Sequence, residues 1–532
     1  MKLHAVHRVL LWAILVACLP QGLCSKSQDM DGAKERRMHP KLKHMEPSKR
    51  TSQRPGEDTQ EFWQNESKDF IRQQQRHQRN IKVAKNIILF LGDGMGLATQ
   101  VAARSYIQAE HTKLSFEDFP YTGLSKTYCV DDIVPDSATT ATAYLCGVKA
   151  NTETIGVNAQ IGVRDCEAMK NTDNHVFSIA KWAMDAGKSA GLVTTTRVTH
   201  ASPAGVYAHT AFREWETNAD IEGWCGKDHG LDDIALQLIH GEVGSRLKLM
   251  MGGGKSTFMD SKIYSEGWRS DGRNLIDEYI KKSAGNAYVE TLEELEKLDL
   301  TKAERLMGIF HDSNMDYYLD TLALEKNTQP TLEQMTRKAI EFMQQQKDDK
   351  GYFLFIEGGE IDLAHHDTKA RLALEETKQF SQAIALARAM TSEEDTLIVV
   401  TADHSHTFSV AGYQDRGSDI FSLVDSDIDD MPYSPLSYAN GNSTYLYYNE
   451  EKRQRVDPSL ILKNEANDLF PATVPIEYET HGGEDVGVFA SGPWAHLFTG
   501  VYEQNAIPHM MAYAACIGDG LKACDTLSGA NV

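Results

Sequence analysis

Three stretches of the chain stay apolar on both faces until they end in a charged side chain, and a fourth strand candidate ends in a His and a Ser. NIILFLGD (86–93) closes on Asp93, YFLFIEGG (352–359) reaches Glu357, and TLIVVTADH (396–404) closes on Asp403 and His404. A fourth, SAGLVTTTRVTHAS (189–202), runs out to His200 and Ser202. Short β-branched, aliphatic and aromatic runs without polar alternation predict strands buried on both faces, as in a parallel sheet. Between them, TLEQMTRKAIEFMQQQ (331–346) and DTKARLALEETKQFSQAIALARAM (367–390) carry helical periodicity. The alternation predicts an α/β fold. Ligands of such sheets bind beyond the carboxyl ends of the strands, so one polar edge would gather these acids, the His and the Ser. One acid after a strand commonly caps the next helix; several together favour a metal site.

Two local patterns sharpen that reading. In VPDSATTATAYLCG (134–147), Pro135 and Asp136 open a predicted helix with Ser137 in its first turn, where free amides and the helix dipole favour an anion. In EGGEIDLAHHD (357–367), Asp362 and His366 stand at i and i+4, one face of a helix. Carboxylate-imidazole pairs suit Zn²⁺ better than Ca²⁺, whereas Glu357, Ser202 and a further carboxylate offer the all-oxygen set of Mg²⁺. Two phosphate-loop look-alikes fail. GDGMG (92–96) lacks the dinucleotide spacing, and GGGKST (252–257) has Leu249 where a P-loop needs glycine. Ser137 has no G-x-S-x-G context and no sequence neighbour to serve as a base, so a metal is expected to activate it.

With 532 residues, 41% of them hydrophobic, the chain can bury one large core or two moderate ones. Its net charge of −22 argues against nucleic acid as a partner. The basic start, the apolar stretch from Val9 to Leu19 and the small residues Gly22 and Cys24 predict a signal peptide over residues 1–24. A basic, Pro-broken leader without regular structure is expected over 25–80, followed by one catalytic unit over 81–532. Secretion would expose the remaining cysteines to oxidation, and Cys516 and Cys524 are close enough to staple the C-terminal segment. Asn65 and Asn442 head glycan acceptor triplets. No other run is long enough to span a bilayer and no tail for a lipid anchor is evident, so a secreted protein is expected.

Taken together, NIILFLGDGMG, VPDSATTATAYLCGVKAN, TTTRVTHASPAGVYAHT, FIEGGEIDLAHH, TADHSHTFSVAGY and THGGEDVGVFASGP resemble the animal alkaline phosphatases, from about Asn86 to Cys524. The resemblance implies a three-layer α/β/α sandwich around a large, mostly parallel central sheet, with a smaller crown-like cap. It also implies a homodimer and phosphate monoester hydrolysis through a phosphoserine at Ser137. Two zinc ions and one magnesium ion would serve the reaction. Asp362, His366 and His481 would hold the first zinc; Asp93, Asp403 and His404 the second; Asp93, Ser202 and Glu357 the magnesium. Arg213 would clamp the phosphate, His200 would back the magnesium site, and His406 would lie near the zincs. Implied disulfides are Cys166 with Cys225 and Cys516 with Cys524; whether Cys129 meets Cys146 stays open.

Three departures from the family pattern carry expectations. Leu363 stands where relatives place a polar residue, so turnover or its pH dependence should differ. Glu360 replaces a basic residue and would make the site rim less attractive to anions. His311 stands where an acid is expected, so no firm calcium site is predicted. The competing readings are a related metal-dependent phosphodiesterase or sulfatase, and a secreted metal-binding protein that has lost catalysis. The first lacks support in a C-x-P-x-R motif, and the second would be expected to have lost a ligand.

Overall fold

Alternate residues of strand β1 (Asn86–Gly92) enter opposite cores: Ile87, Leu89 and Leu91 one, Ile88 and Phe90 the other. The same division runs through β7 (Tyr352–Gly358) and β8 (Thr396–Thr401), which is why none of these runs needs a polar face. In this computed structural model, which describes residues 54–346, 350–426 and 428–527, β1 lies between β7 and β8 in a ten-stranded sheet. The other members are β2 (Tyr121–Lys126), β3 (Ser189–Arg197), β4 (Leu249–Gly253), β5 (Asn286–Val289), β6 (Arg305–Ile309), β16 (Val486–Ser491) and β17 (Gly500–Glu503). The order is β17-β2-β16-β8-β1-β7-β3-β4-β6-β5, and only β16 runs against the rest.

Helices Leu332–Gln344 and Ala370–Met390 cover one face, burying Met335, Ile340, Leu372 and Phe380. Helices Ser137–Cys146, Ile179–Asp185, Ile234–His240 and Ala506–Ala515 cover the other. The result is the expected α/β architecture in three layers around a mostly parallel sheet. Between β8 and β16 the chain builds a smaller region from β9 (Ser405–His406), β10 (Phe408–Val410), β11 (Leu436–Gly441), β12 (Tyr448–Asn449), β13 (Gln454–Arg455), β14 (Ala472–Pro475) and β15 (His481–Gly482). Within it β9 and β15 pair antiparallel, setting His406 opposite His481.

The structure corrects the sequence reading in two places. The predicted signal peptide and most of the predicted leader lie outside the described residues, but residues 60–76 of that stretch form a helix, Gln60–Arg76, capped by Thr59 and burying none of its residues. Low apolar content hid it, because capping and exposed polar positions rather than a buried face define it. Cys166 and Cys225 are joined beside a satellite core of Ile161, Phe212 and Trp215. Cys516 and Cys524, in contrast, are free thiols. The Cys524 amide donates to Cys516 Sγ at 2.9 Å, and burial pushes the Cys516 thiol up to about 11. Cys129 and Cys146 are separate buried thiols, the former against Asp131 and the latter facing the Gly205 carbonyl. Of the glycan acceptors, Asn65 is exposed on the leader helix, while Asn442 is half-buried and accepts from Thr368.

Glu376 shows what the dry interior does to an acid. It is buried on the helix Ala370–Met390, accepts the Tyr318 amide at 2.6 Å, and burial, reinforced by Glu375 and Asp320, pushes its pKa from 4.5 up to about 8. A raised folded-state pKa stabilises the fold fully below the unfolded value and loses that contribution as pH climbs through the folded one. Glu376→Gln should therefore gain stability relative to the parent between pH 5 and 9, on the order of a few kcal/mol at the alkaline end. Parallel Tm-against-pH curves for the two proteins would refute it.

Candidate active site

Four neighbouring strands, β8, β1, β7 and β3, point their carboxyl ends at one spot. β1 delivers Asp93 and β7 delivers Glu357, both fully buried. Beyond β7 the chain turns into the helix Glu360–His366, so Asp362 and His366 share a face as their spacing predicts, with His366 Nε2 3.3 Å from Asp362 Oδ2. β8 runs into Asp403 and His404, and β3 leads to Ser202 on the short helix Ala201–Ala204.

The side chains form two tight groups. In one, the ligand atoms of Asp362, His366, His406 and His481 all lie within 4.8 Å of one another; in the other, those of Asp93, Asp403 and His404 do. His406 thus stands inside the first group, its Nε2 2.7 Å from Asp362 Oδ1, closer than a supporting position required. The groups abut, because the His481 and His404 rings stack with centroids 3.5 Å apart. Beside them, both carboxylate oxygens of Asp93, Ser202 Oγ and Glu357 Oε1 are buried without any hydrogen-bond partner. Buried oxygens of this kind are costly unless a cation or donor satisfies them, and three residues supplying oxygen only match the chemistry of a hard divalent ion. The nitrogen and carboxylate sets match zinc.

The titration pattern has the same origin. Burial, then Asp403, Asp362 and Glu357, drives the Asp93 carboxyl well above the usual range, and burial pushes Glu357 up to about 7. Asp403 resists burial because His404 faces it at 3.0 Å, which lowers its pKa. Burial opposes charge on His406, but Glu479 and Asp362 overcome it and push its pKa up to about 10; His481, buried against His404, falls to about 4.

Ser137 opens the helix Ser137–Cys146, as predicted, with its Oγ 3.0 Å from His404 Nε2. A histidine does neighbour the serine, then, brought from 267 residues away by the sheet. The helix-terminal amides are less open to an anion than the sequence suggested, since Asp136 accepts from Ala138 and Thr139. Asp136 also accepts from Arg213 Nη1 at 3.1 Å, while Arg213 Nη2 donates to His200 Nε2 at 3.2 Å. Burial and the charges of Arg213 and Arg197 hold His200 far below its ordinary pKa, so the neutral ring can accept.

Several supporting residues carried no sequence signal. Glu479 binds His406 Nδ1 at 2.5 Å through its carboxylate and His366 Nδ1 at 2.5 Å through its carbonyl, fixing two imidazoles at once. Thr194 and Thr196 donate to Glu357 Oε2. Gly94 has φ +67°, and a Cβ there would meet His406 Nε2 at 2.3 Å, so GDGMG is shaped by the site's crowding. Leu363 lines the open cleft above the groups, a cavity of about 880 Å³. Glu360 is not the rim charge expected: it is 3% exposed, and burial raises its pKa well above the carboxylate range. In the failed P-loop, Lys255 pairs with Glu290 at 3.1 Å.

Comparison with known proteins agrees with this geometry. The alkaline phosphatase family model matches residues 84–517. The membrane-bound alkaline phosphatase of Bombyx mori is 40% identical over 512 residues, covering 92% of this chain and 91% of that one. The tissue-nonspecific isozyme of Felis catus is 43% identical over 492 residues, covering 88% and 91%. Among solved structures, the Thermus thermophilus alkaline phosphatase superposes with TM-score 0.60 at 21% identity, covering 86% of this chain and 97% of its own, which bears on the fold. The chain belongs to the alkaline phosphatase family of phosphate monoester hydrolases.

Proposed function

We propose that this chain hydrolyses phosphate monoesters through a phosphoserine on Ser137, at a centre of two zinc ions and one magnesium ion. The observation that carries the reading is the set of buried, unpartnered oxygens of Asp93, Ser202 and Glu357 beside two carboxylate-imidazole groups, with Ser137 at their edge. Asp362, His366 and His481 would hold one zinc, Asp93, Asp403 and His404 the other, and Asp93, Ser202 and Glu357 the magnesium. Bound cations of this kind lower the pKa of a coordinated hydroxyl or water and offset phosphoryl charge.

Ser137 Oγ attacks phosphorus in line with the departing oxygen, so a Ser–O–P bond forms as the ester P–O bond breaks and the alcohol leaves with a proton. Water then attacks the phosphoserine, releasing inorganic phosphate and restoring the hydroxyl. Arg213, oriented by Asp136 and His200, offers its planar fork to two phosphoryl oxygens throughout. Nothing in this scheme grips the alcohol, which supports tolerance of many leaving groups. The same reading makes the enzyme an extracellular homodimer. The signal-like N-terminus and the Cys166–Cys225 disulfide support the address, and among the described residues no helix is long and apolar enough to cross a membrane.

Hydrolysis of p-nitrophenyl phosphate across pH 7 to 11 tests the reaction. Chelation should abolish it, zinc plus magnesium should restore it, and Ser137→Ala should lower kcat by more than about a thousandfold. Full activity in that variant would overturn the phosphoserine route. Glu479→Ala should weaken zinc retention by roughly ten- to a hundredfold, read as zinc content after dialysis against a chelator. Retention equal to the parent would remove Glu479 from the site's support. Leu363→His should shift the pH-rate profile, since a titratable donor would replace an inert side chain in the cleft. Superimposable profiles would mean that Leu363 does not bear on the reaction.

A further inference from the structure

The helix Ser137–Cys146 turns a row of hydroxyls toward the site. Ser137, Thr140 and Tyr144 stand at i, i+3 and i+7, the spacing of one helical face. Two of the three have clear neighbours: Ser137 Oγ lies 3.0 Å from His404 Nε2, and Thr140 Oγ1 lies 3.3 Å from Asp403 Oδ2. Tyr144 differs. It is fully buried, and its hydroxyl has no hydrogen-bond partner among the described residues. Ala138, Ala141 and Leu145 around it meet the core with apolar side chains, and a phenylalanine would fill the volume of Tyr144 without burying an unpaired hydroxyl.

Packing sets this phenol against the oxygen-only half of the site. Its ring lies over Phe355, with centroids 6.4 Å apart and planes 17° from parallel, two residues before Glu357 on β7. The short helix Ala201–Ala204, which carries Ser202, reaches the same helix through Gly205. A Cβ at Gly205 would meet Ala141 Cβ at 2.7 Å and Leu145 Cδ1 at 3.1 Å, so the missing side chain permits the approach. Burial, then the charges of Asp403 and Glu357, raises the phenol's pKa well above its ordinary value, and Ser202 is the hydroxyl it faces. Ser202 Oγ is itself buried without a partner, as are Glu357 Oε1 and both carboxylate oxygens of Asp93.

A serine that serves a cation has one proton to place. The hydroxyl ligates through a lone pair, so its O–H must point away from the ion and find an acceptor. Carboxylates that are themselves ligands are poor choices, because a shared proton weakens their hold on the ion. A neutral phenol oxygen behind the serine has no such drawback. Resting on the metal-dependent reading above, we infer that Tyr144 is a positioning residue of the site proposed for magnesium: its hydroxyl accepts the Ser202 proton and turns the Ser202 lone pairs toward Asp93 and Glu357. It acts through Ser202 and not on the substrate, so its contribution is read in how tightly the ion is held.

The test is a calorimetric titration of magnesium chloride into the full chain, loaded with zinc and freed of magnesium, for the parent, Tyr144→Phe, Ser202→Ala and the double variant. Tyr144→Phe should weaken magnesium binding by about tenfold at unchanged zinc content, while the Tm of the metal-free protein stays level or rises because a buried unpaired hydroxyl has gone. In the Ser202→Ala background the same change should add nothing, since the residue it acts through is absent. Where Ser202→Ala binds no magnesium, the single Tyr144→Phe comparison decides. Equal affinity in the parent and Tyr144→Phe, or a full further loss in the double variant, would overturn the inference. Lost zinc, a lower metal-free Tm or failure of Tyr144→Phe to fold would make Tyr144 a packing residue and overturn it as well. Turnover of p-nitrophenyl phosphate by the parent is followed alongside. A parent that turns the ester over but binds no magnesium overturns this inference and the magnesium assignment, leaving the phosphoserine route standing; one that does neither overturns the hydrolase reading and this inference with it.

Discussion

The carboxylates of Asp93, Glu357, Asp362 and Asp403 are crowded together where water does not reach, and the rest of the structure answers to that crowding. All four are at most 3% exposed. Charges of one sign in a dry interior repel strongly and lose their hydration, so each must be protonated, paired or placed beside a cation. The protein supplies imidazoles to two of them, which lowers the pKa of Asp362 and Asp403, and leaves Asp93 and Glu357 raised. That asymmetry divides the site: one half is carboxylate with nitrogen, the other is oxygen alone. A single residue, Asp93, stands in both, so no ion could enter one half without altering the other.

Such an arrangement persists only on a frame that cannot relax around it. Parallel strands buried on both faces give that frame, because shifting one strand end would disturb two cores at once. Finer adjustments come from residues just outside the ligands. Glu479 reaches the site from the smaller region between β8 and β16 and holds His366 and His406, so the carboxylate-imidazole group depends on that region being folded against the sheet. Gly94 leaves the space that the His406 ring occupies. The small region is thus part of the site rather than an ornament on its rim.

Strand ends were legible because several apolar runs stop at an acid, a His or a Ser together, which helix capping does not explain, and Asp362 with His366 because helical spacing fixes which face they share. The assignment of ligands to individual ions and the role of Arg213 came from family resemblance instead; no periodicity marks Arg213, whose partners Asp136 and His200 lie 77 and 13 residues away in sequence. Glu479 was illegible for the same reason. The helix Gln60–Arg76 escaped notice because it buries nothing, and the open Cys516–Cys524 pair because sequence distance does not fix the direction in which two sulfurs point. Glu360 was misjudged on charge alone: a carboxyl in a dry wall takes up a proton, and sequence does not reveal the dryness.

One consequence concerns how an acidic protein meets an anionic substrate. The net charge of −22 repels phosphate esters at a distance, and at physiological salt any local attraction fades within roughly 8 Å. Encounter therefore gains nothing from long-range steering, and the field that matters is the one inside the cleft. There Arg213, held by Asp136 and His200, is the one permanent cation among the described lining residues, so the attraction for a phosphoryl group rests on it and on whatever cations the buried ligand cluster holds.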